Sequence, residues 1–223
     1  RTGIFHHPDG REDRLLDVVL SPEQLGLLAH LGRACASPLS IEIGFGMGSS
    51  ATIMLAARRA AGKPFEHLVY DPWGLAGGRG AVVYAYLMEE FGGSFKRHRK
   101  MSQVGLAQLL DTRGPGIAGL IFVDGGHTFE AVMADFFLCD MLCCVGGYIV
   151  FDDALYPAIE TVINYIAANR RSYAINHLGV NNTTVIQKLN GDQLKWDHFR
   201  PFAVPDRYDW TPSDGNPKMA EPG

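Results

Sequence analysis

The run Leu39-Ser40-Ile41-Glu42-Ile43-Gly44-Phe45-Gly46-Met47-Gly48-Ser49-Ser50 decides the reading of the fold. A short apolar strand passes into three alternating glycines, and these open a segment, Ser49 to Leu55, with helical character. Glycine reaches positive φ and carries no Cβ, so such a loop turns sharply and presents bare backbone N–H groups. At a helix N-terminus those groups suit the polar end of a small ligand.

Outward from this loop, helical and strand-like segments alternate. Ser21-Pro22-Glu23-Gln24 supplies an N-cap, a proline at the first helical position and a glutamine three residues on, which predicts a helix to about residue 35. Ser37-Pro38 ends it, strand 39–43 follows, and a helix over 49–60 stops near Gly62-Lys63-Pro64. Further strands are expected at 67–70, 95–99, 118–123 and 148–151, with helices at 80–91, 102–111, 129–144 and 157–169. The uninterrupted apolar run Ala118–Val123 is typical of a fully buried parallel strand. Tyr173–Leu178 and Thr183–Leu189 read as an antiparallel hairpin joined by Gly179-Val180-Asn181-Asn182. The pattern predicts an α/β, doubly wound, mostly parallel sheet closed by a C-terminal antiparallel hairpin. A single domain is expected over 1–223: an N-terminal helical and lid segment over 1–37, a core over 38–190 and an aromatic, proline-rich extension over 191–223.

Composition narrows the function. The chain is 47% hydrophobic and 20% charged with a formal charge of −4, which argues against a general nucleic-acid binder. The basic run Lys96-Arg97-His98-Arg99-Lys100 reads as a solvated strand end, with an anion-steering patch as the alternative. Cys35, Cys139, Cys143 and Cys144 lack zinc spacing and read as small core residues in a reducing compartment, the last three in an apolar helical stretch. No apolar run approaches the roughly 18 residues of a membrane span, and the first residues carry no apolar signal region. A cytoplasmic protein with a small-molecule partner, and no nucleic acid or membrane partner, is expected. The aromatic C-terminal stretch is a candidate subunit contact, so a homo-oligomer is among the expected states.

Acidic residues fall where an open α/β sheet binds ligands, at the carboxyl ends of strands. Asp71 follows the second strand, Asp124 the fourth, and Asp152-Asp153 the fifth, while Glu42 lies within the first. Asp71 stands where a carboxylate can accept both hydrogen bonds of a ribose diol. The dinucleotide pattern G-x-G-x-x-G is not met, because Ser49 occupies the third glycine position; this favours a mononucleoside-type ligand such as S-adenosylmethionine over NAD. Asp124, Asp152 and Asp153 would repel one another in one crevice unless a cation neutralised them, and oxygen donors without cysteine favour Mg²⁺. A capping role for Asp152-Asp153 is the plainer alternative. His127, in Asp124-Gly125-Gly126-His127, would bring an imidazole to the same crevice, as a proton acceptor or as a side chain bonded to nearby backbone.

Together these residues resemble class I S-adenosylmethionine-dependent methyltransferases, in the metal-dependent O-methyltransferase branch that includes catechol and macrolide-sugar O-methyltransferases. Val123-Asp124-Gly125-Gly126-His127 followed by Gly146-Gly147-Tyr148-Ile149-Val150-Phe151-Asp152-Asp153 carries the likeness to the macrolide-sugar enzymes, which extends over about residues 38–190. The resemblance implies that Glu42, Gly44, Gly46, Gly48 and Ser50 line the methionine end of the cofactor. Asp71 would hold the ribose, Ser102 and Gln103 would meet the adenine, and Asp124 would share the cofactor site. Asp124, Asp152 and Asp153 would ligate Mg²⁺, with His127 as the base. His127 replaces the lysine of catechol-type enzymes, Asp153 replaces an asparagine, and Asn182 falls near a substrate-contacting glutamate. A sugar or other vicinal-oxygen acceptor is therefore expected over a catechol. A cofactor-binding protein without transferase activity is the alternative, and an antibiotic-pathway hydroxylase role finds no two-histidine, one-carboxylate spacing to support it.

Overall fold

A computed structural model describes residues 4–6, 12–14, 20–35, 37–75, 78–176, 180, 182–191, 195–205, 208–209 and 218–219. In chain order the elements are β1 (Ile4–His6), β2 (Glu12–Arg14), α1 (Pro22–Ala34), β3 (Leu39–Ile43), α2 (Ser49–Ala60), β4 (Glu66–Tyr70), α3 (Arg79–Phe91), β5 (Phe95–His98) and α4 (Ser102–Arg113). They continue with β6 (Ala118–Val123), α5 (Phe129–Leu142), β7 (Cys143–Phe151), α6 (Pro157–Asn169), β8 (Tyr173–Asn176), β9 (Thr184–Lys188), β10 (Tyr208–Asp209) and β11 (Lys218–Met219).

The main sheet has seven strands in the order β5-β4-β3-β6-β7-β9-β8. The pairs from β5 to β7 are parallel, and β9 runs antiparallel to both β7 and β8. β1–β2 and β10–β11 form two small antiparallel pairs apart from it. This is the doubly wound sheet with a closing hairpin that the sequence pattern predicts. Strand order reverses on either side of β3, so the crevice beyond its carboxyl end is the switch point where ligands of such sheets bind.

Side chains alternate across a strand, and each face of the sheet is covered. Ile41, Ile43, Ile121, Val123, Ile149 and Phe151 pack beneath α4, α5 and α6. On the opposite face Leu120, Phe122 and Val150 meet Leu28 and Leu31 of α1 and Met54 of α2. Val69 packs with Leu55, Leu87 and Phe95 under α2 and α3. The α1 start is a full capping box: Gln24 N donates to Ser21 Oγ at 3.2 Å and Ser21 N to Gln24 Oε1 at 2.8 Å.

Most element ends lie within one or two residues of the sequence reading, and the largest departure is at the junction of α5 and β7. α5 ends at Leu142, so Cys143 and Cys144 belong to β7 and only Cys139 is helical. The pairing jumps from Ala118↔Cys143 to Leu120↔Tyr148, so residues 144–147 bulge out of the ladder, with Gly146 at φ +83°. The glycine pair that suggests a turn is this bulge. All four cysteines are unpaired, three of them buried. Segment 200–203 lies along α6, where Arg200 N donates to Asn169 Oδ1 at 2.7 Å and Phe202 packs on Tyr165. Most of residues 1–19, in the segment expected as helical and lid over 1–37, and most of the expected extension beyond residue 205 lie outside the described residues. No helix among the described residues is long and apolar enough to cross a membrane.

Candidate active site

The strand ends build the site through their own backbone. Asp71 N donates to His98 O, Asp124 N to Ile43 O and Asp152 N to Val123 O, each at about 3 Å. Each acidic residue thus takes one further rung of the ladder, and the carboxylates are ranged along the carboxyl edge of the sheet. Gly44, Gly46 and Gly48 all have positive φ. A Cβ on Gly44 would stand 1.9 Å from Asp124 O, so only glycine lets this loop lie against the end of β6.

A cleft of about 420 Å³ opens here, large enough for a nucleoside-sized ligand. Gly44 and Gly46 of the glycine loop, Asp71 and Trp73 after β4, Ser102 and Gln103 of α4, and Asp124 and Gly125 after β6 all line it. Glu42 and Ser50 lie behind the loop: Ser50 Oγ donates to Glu42 Oε1 at 2.7 Å, and His67 Nε2 is 3.0 Å from Glu42 Oε2. His67 Nδ1 in turn meets Ser40 Oγ at 2.9 Å, so this buried polar chain is satisfied. Gly48 sits at the start of α2, packed between Phe45 and Val83.

Asp71 accepts from Phe45 N at 3.0 Å and Trp73 N at 2.8 Å, and Arg97 lies 3.5 Å away. These bonds tie the glycine loop, the Trp73 loop and β5 to one carboxylate. Arg97 comes from the basic run, yet its side chain is almost fully buried and also donates to Trp73 O. Strand alternation was the signal for it: the inward residue of a basic strand end is not a solvated one.

Asp124, which lines the cleft, His127 and Asp153 each place a ligand atom within 4.8 Å of the others. His127 Nε2 is 3.2 Å from Asp153 Oδ2 and its ring lies edge-on to Tyr156. This set differs by one member from the expected Asp124, Asp152 and Asp153. Asp152 is held from behind, where its Oδ1 accepts from Gln24 Nε2 at 2.6 Å and Thr183 Oγ1 at 3.3 Å. Asp153, at φ +51°, accepts from Asn182 Nδ2 at 2.9 Å. Burial, then the charges of Asp152, Glu42 and Asp153, pushes the Asp124 carboxyl up to about 8. Burial likewise raises Asp152 to about 6. Such crowded, desolvated oxygens are a donor set that a divalent cation would relieve.

Two supports escaped the sequence reading. Gln24 is both the helix cap and a brace on Asp152, a link that no linear pattern displays. Asp135 on α5 accepts from Gln103 Nε2 at 2.8 Å and is 1% exposed. Its signal was a carboxylate in an apolar stretch of α5, Ala134-Asp135-Phe136-Phe137-Leu138.

The family model described as a methyltransferase domain matches residues 41–154 of the chain. The chain belongs to this methyltransferase family. An uncharacterised protein of Acanthamoeba polyphaga mimivirus is 31% identical over 157 residues, 64% of this chain and 68% of that one. Among solved structures, the O-methyltransferase TomG from Streptomyces achromogenes, in complex with SAM, superposes with a TM-score of 0.63 at 19% identity, covering 79% of this chain and 84% of that chain. The O-methyltransferase from Bacillus cereus in complex with SAH gives 0.62 at 15%, covering 78% and 84%. CalS11, a TDP-rhamnose 3′-O-methyltransferase of calicheamicin biosynthesis, gives 0.61 at 12%, covering 74% and 76%. At these identities the structural likeness is one of fold, and the fold is that of class I methyltransferases. As a methyltransferase of this family, the chain uses S-adenosylmethionine as its methyl donor.

Proposed function

We propose that this methyltransferase moves the methyl group onto a hydroxyl oxygen of a small molecule, with a divalent cation, Mg²⁺ in the simplest case, beside the cleft. The convergence of Asp124, His127 and Asp153 next to the glycine loop carries this reading. A cation bound there would supply Lewis acidity that lowers the pKa of the acceptor hydroxyl. Asp124, Asp153 and the braced Asp152 offer it hard oxygen donors, and His127 takes the acceptor's proton. Orientation of the hydroxyl toward the methyl group then supplies much of the acceleration.

The fit to the donor rests on this chain's own contacts. Gly44 N is spent on Tyr70 O at 2.9 Å and Gly48 N on Phe45 O at 2.7 Å, so Gly46 is the glycine whose backbone faces the methionine end, and Glu42 with Ser50 sets the loop from behind. Asp71 retains accepting capacity for the ribose, and Ser102 and Gln103 flank the adenine. Trp73, Leu155 and Tyr156 are exposed near the cleft and the acidic cluster and offer apolar surface to an acceptor. The acceptor class we favour is a sugar or another molecule with vicinal oxygens, as for the sugar-modifying CalS11.

The test is incubation with S-adenosylmethionine and a panel of sugars, catechols and polyketides, with and without EDTA, read by mass spectrometry for the addition of one methylene unit. We expect a product that needs the cation. Full turnover in excess EDTA would remove the cation from the reaction, and failure of the protein to bind S-adenosylmethionine would remove the whole reading.

A further inference from the structure

We infer that Arg97 is a positioning residue for the cofactor's ribose: its buried guanidinium holds the Asp71 carboxylate and the Trp73 loop in one frame. This rests on the cleft taking S-adenosylmethionine with its ribose at Asp71. Phe95 and Arg97 stand two apart on β5 and share one face of the strand. Phe95 packs in the core against the Phe45 ring, and the Arg97 guanidinium lies over that same ring, 5.5 Å from its centre. The Arg97 side chain is 7% exposed, yet the residue lines the cleft.

From there the guanidinium reaches the bend that follows β4. Arg97 Nη2 donates to Trp73 O at 2.5 Å, while Trp73 N donates to Asp71 Oδ1 at 2.8 Å, so Trp73 is gripped through both of its backbone groups. The same Nη2 stands 3.5 Å from Asp71 Oδ2, which accepts from Phe45 N at 3.0 Å. At that distance the cation orients the carboxylate by charge and takes up none of its lone pairs. A carboxylate has about four accepting sites, so the two backbone N–H groups leave room for a ribose diol. Arg97 Nε is buried with no partner among the described residues. A desolvated cation with an unspent donor costs stability, and such costs gather where a fold holds a functional group in place. A lysine would carry the charge, but one ammonium cannot span Trp73 O and Asp71 while covering the Phe45 ring.

The experiment is calorimetry on the full chain, wild type, Arg97→Met and Arg97→Lys, with S-adenosylhomocysteine and its analogue lacking both ribose hydroxyls. We expect wild type to prefer the hydroxylated compound by about tenfold or more. In both variants the preference should fall toward parity, because the hydroxylated compound alone loses affinity. A residue that served only folding would lower Tm or weaken both compounds alike; a preference left at its wild-type value in the variants overturns the inference. The same holds if Arg97→Lys alone keeps the preference, since charge without the planar fork would then suffice. Equal binding of the two compounds by wild type overturns the ribose at Asp71 and the inference with it. No binding of S-adenosylhomocysteine to wild type overturns the functional reading beneath both. Arg97→Lys retains the cation beside Asp71, so it decides alone should Arg97→Met not fold.

Discussion

At Asp135 burial works against stability in a single side chain. Burial raises its carboxyl to about 6, partly offset by hydrogen bonds from Ser102 and Gln103. The folded state therefore holds the proton more tightly than the unfolded chain, whose value is 3.8. That preference is complete below about pH 4 and is lost as pH rises to about 6, costing at most about 3 kcal/mol above it. Asp135→Asn is thus expected to melt higher than wild type at pH 7.5, with the gap closing toward pH 4, as thermal denaturation across pH would record. A variant less stable at pH 7.5 would mean that the carboxylate's hydrogen bonds outweigh its burial. His127 offers a second test at this scale. As the proton acceptor, its replacement by Gln should lower kcat by a factor on the order of 10² to 10⁴ and remove the acidic limb of the pH–rate profile. A loss of cation affinity with that limb intact would make it a ligand instead.

At the scale of elements, the site depends on loops pinned by few bonds. Gly44→Ala would drive a methyl into Asp124 O at a positive φ, so the glycine loop and the end of β6 must separate. We expect this variant to lose S-adenosylmethionine binding in calorimetry and several kcal/mol of stability. Gln24→Ala should cost about 1 kcal/mol through the α1 cap, and it should also weaken cation binding, because Asp152 loses its brace. A variant that loses stability alone would confine Gln24 to capping. These links explain what the sequence could disclose. β3, α2, β6 and α6 were legible to the residue because a strand–glycine–helix junction, an apolar run and a proline N-terminus are local signals. The acids at strand ends were legible for the same reason, as each ends a recognisable strand. Gln24 on Asp152 and Gln103 on Asp135 were not, since such contacts span helices and depend on how α1, α4 and α5 pack. The β7 bulge was hidden because a glycine pair marks a turn and a bulge alike.

For the molecule as a whole, three carboxyls are raised, the half-buried Asp124 to about 8 and the buried Asp135 and Asp152 to about 6. The fold carries this strain at the open edge of its sheet, between two well-packed layers of helices. A ligand that binds only the folded state stabilises it by mass action, about 2.7 kcal/mol at a hundredfold excess over Kd. S-adenosylhomocysteine should therefore raise Tm. A divalent cation should raise it more at pH 8.5 than at pH 6, since the cation must displace the proton that Asp124 keeps at the lower pH. An equal shift at both values would place the cation elsewhere. The most direct test of the account is Mn²⁺ binding, followed by electron paramagnetic resonance, to wild type and Asp124→Asn in the presence of S-adenosylhomocysteine. Wild type should bind one Mn²⁺, the variant should lose affinity by a factor on the order of a hundred or more, and both should retain S-adenosylhomocysteine. Equal Mn²⁺ binding by the two proteins, or none by either, would contradict it.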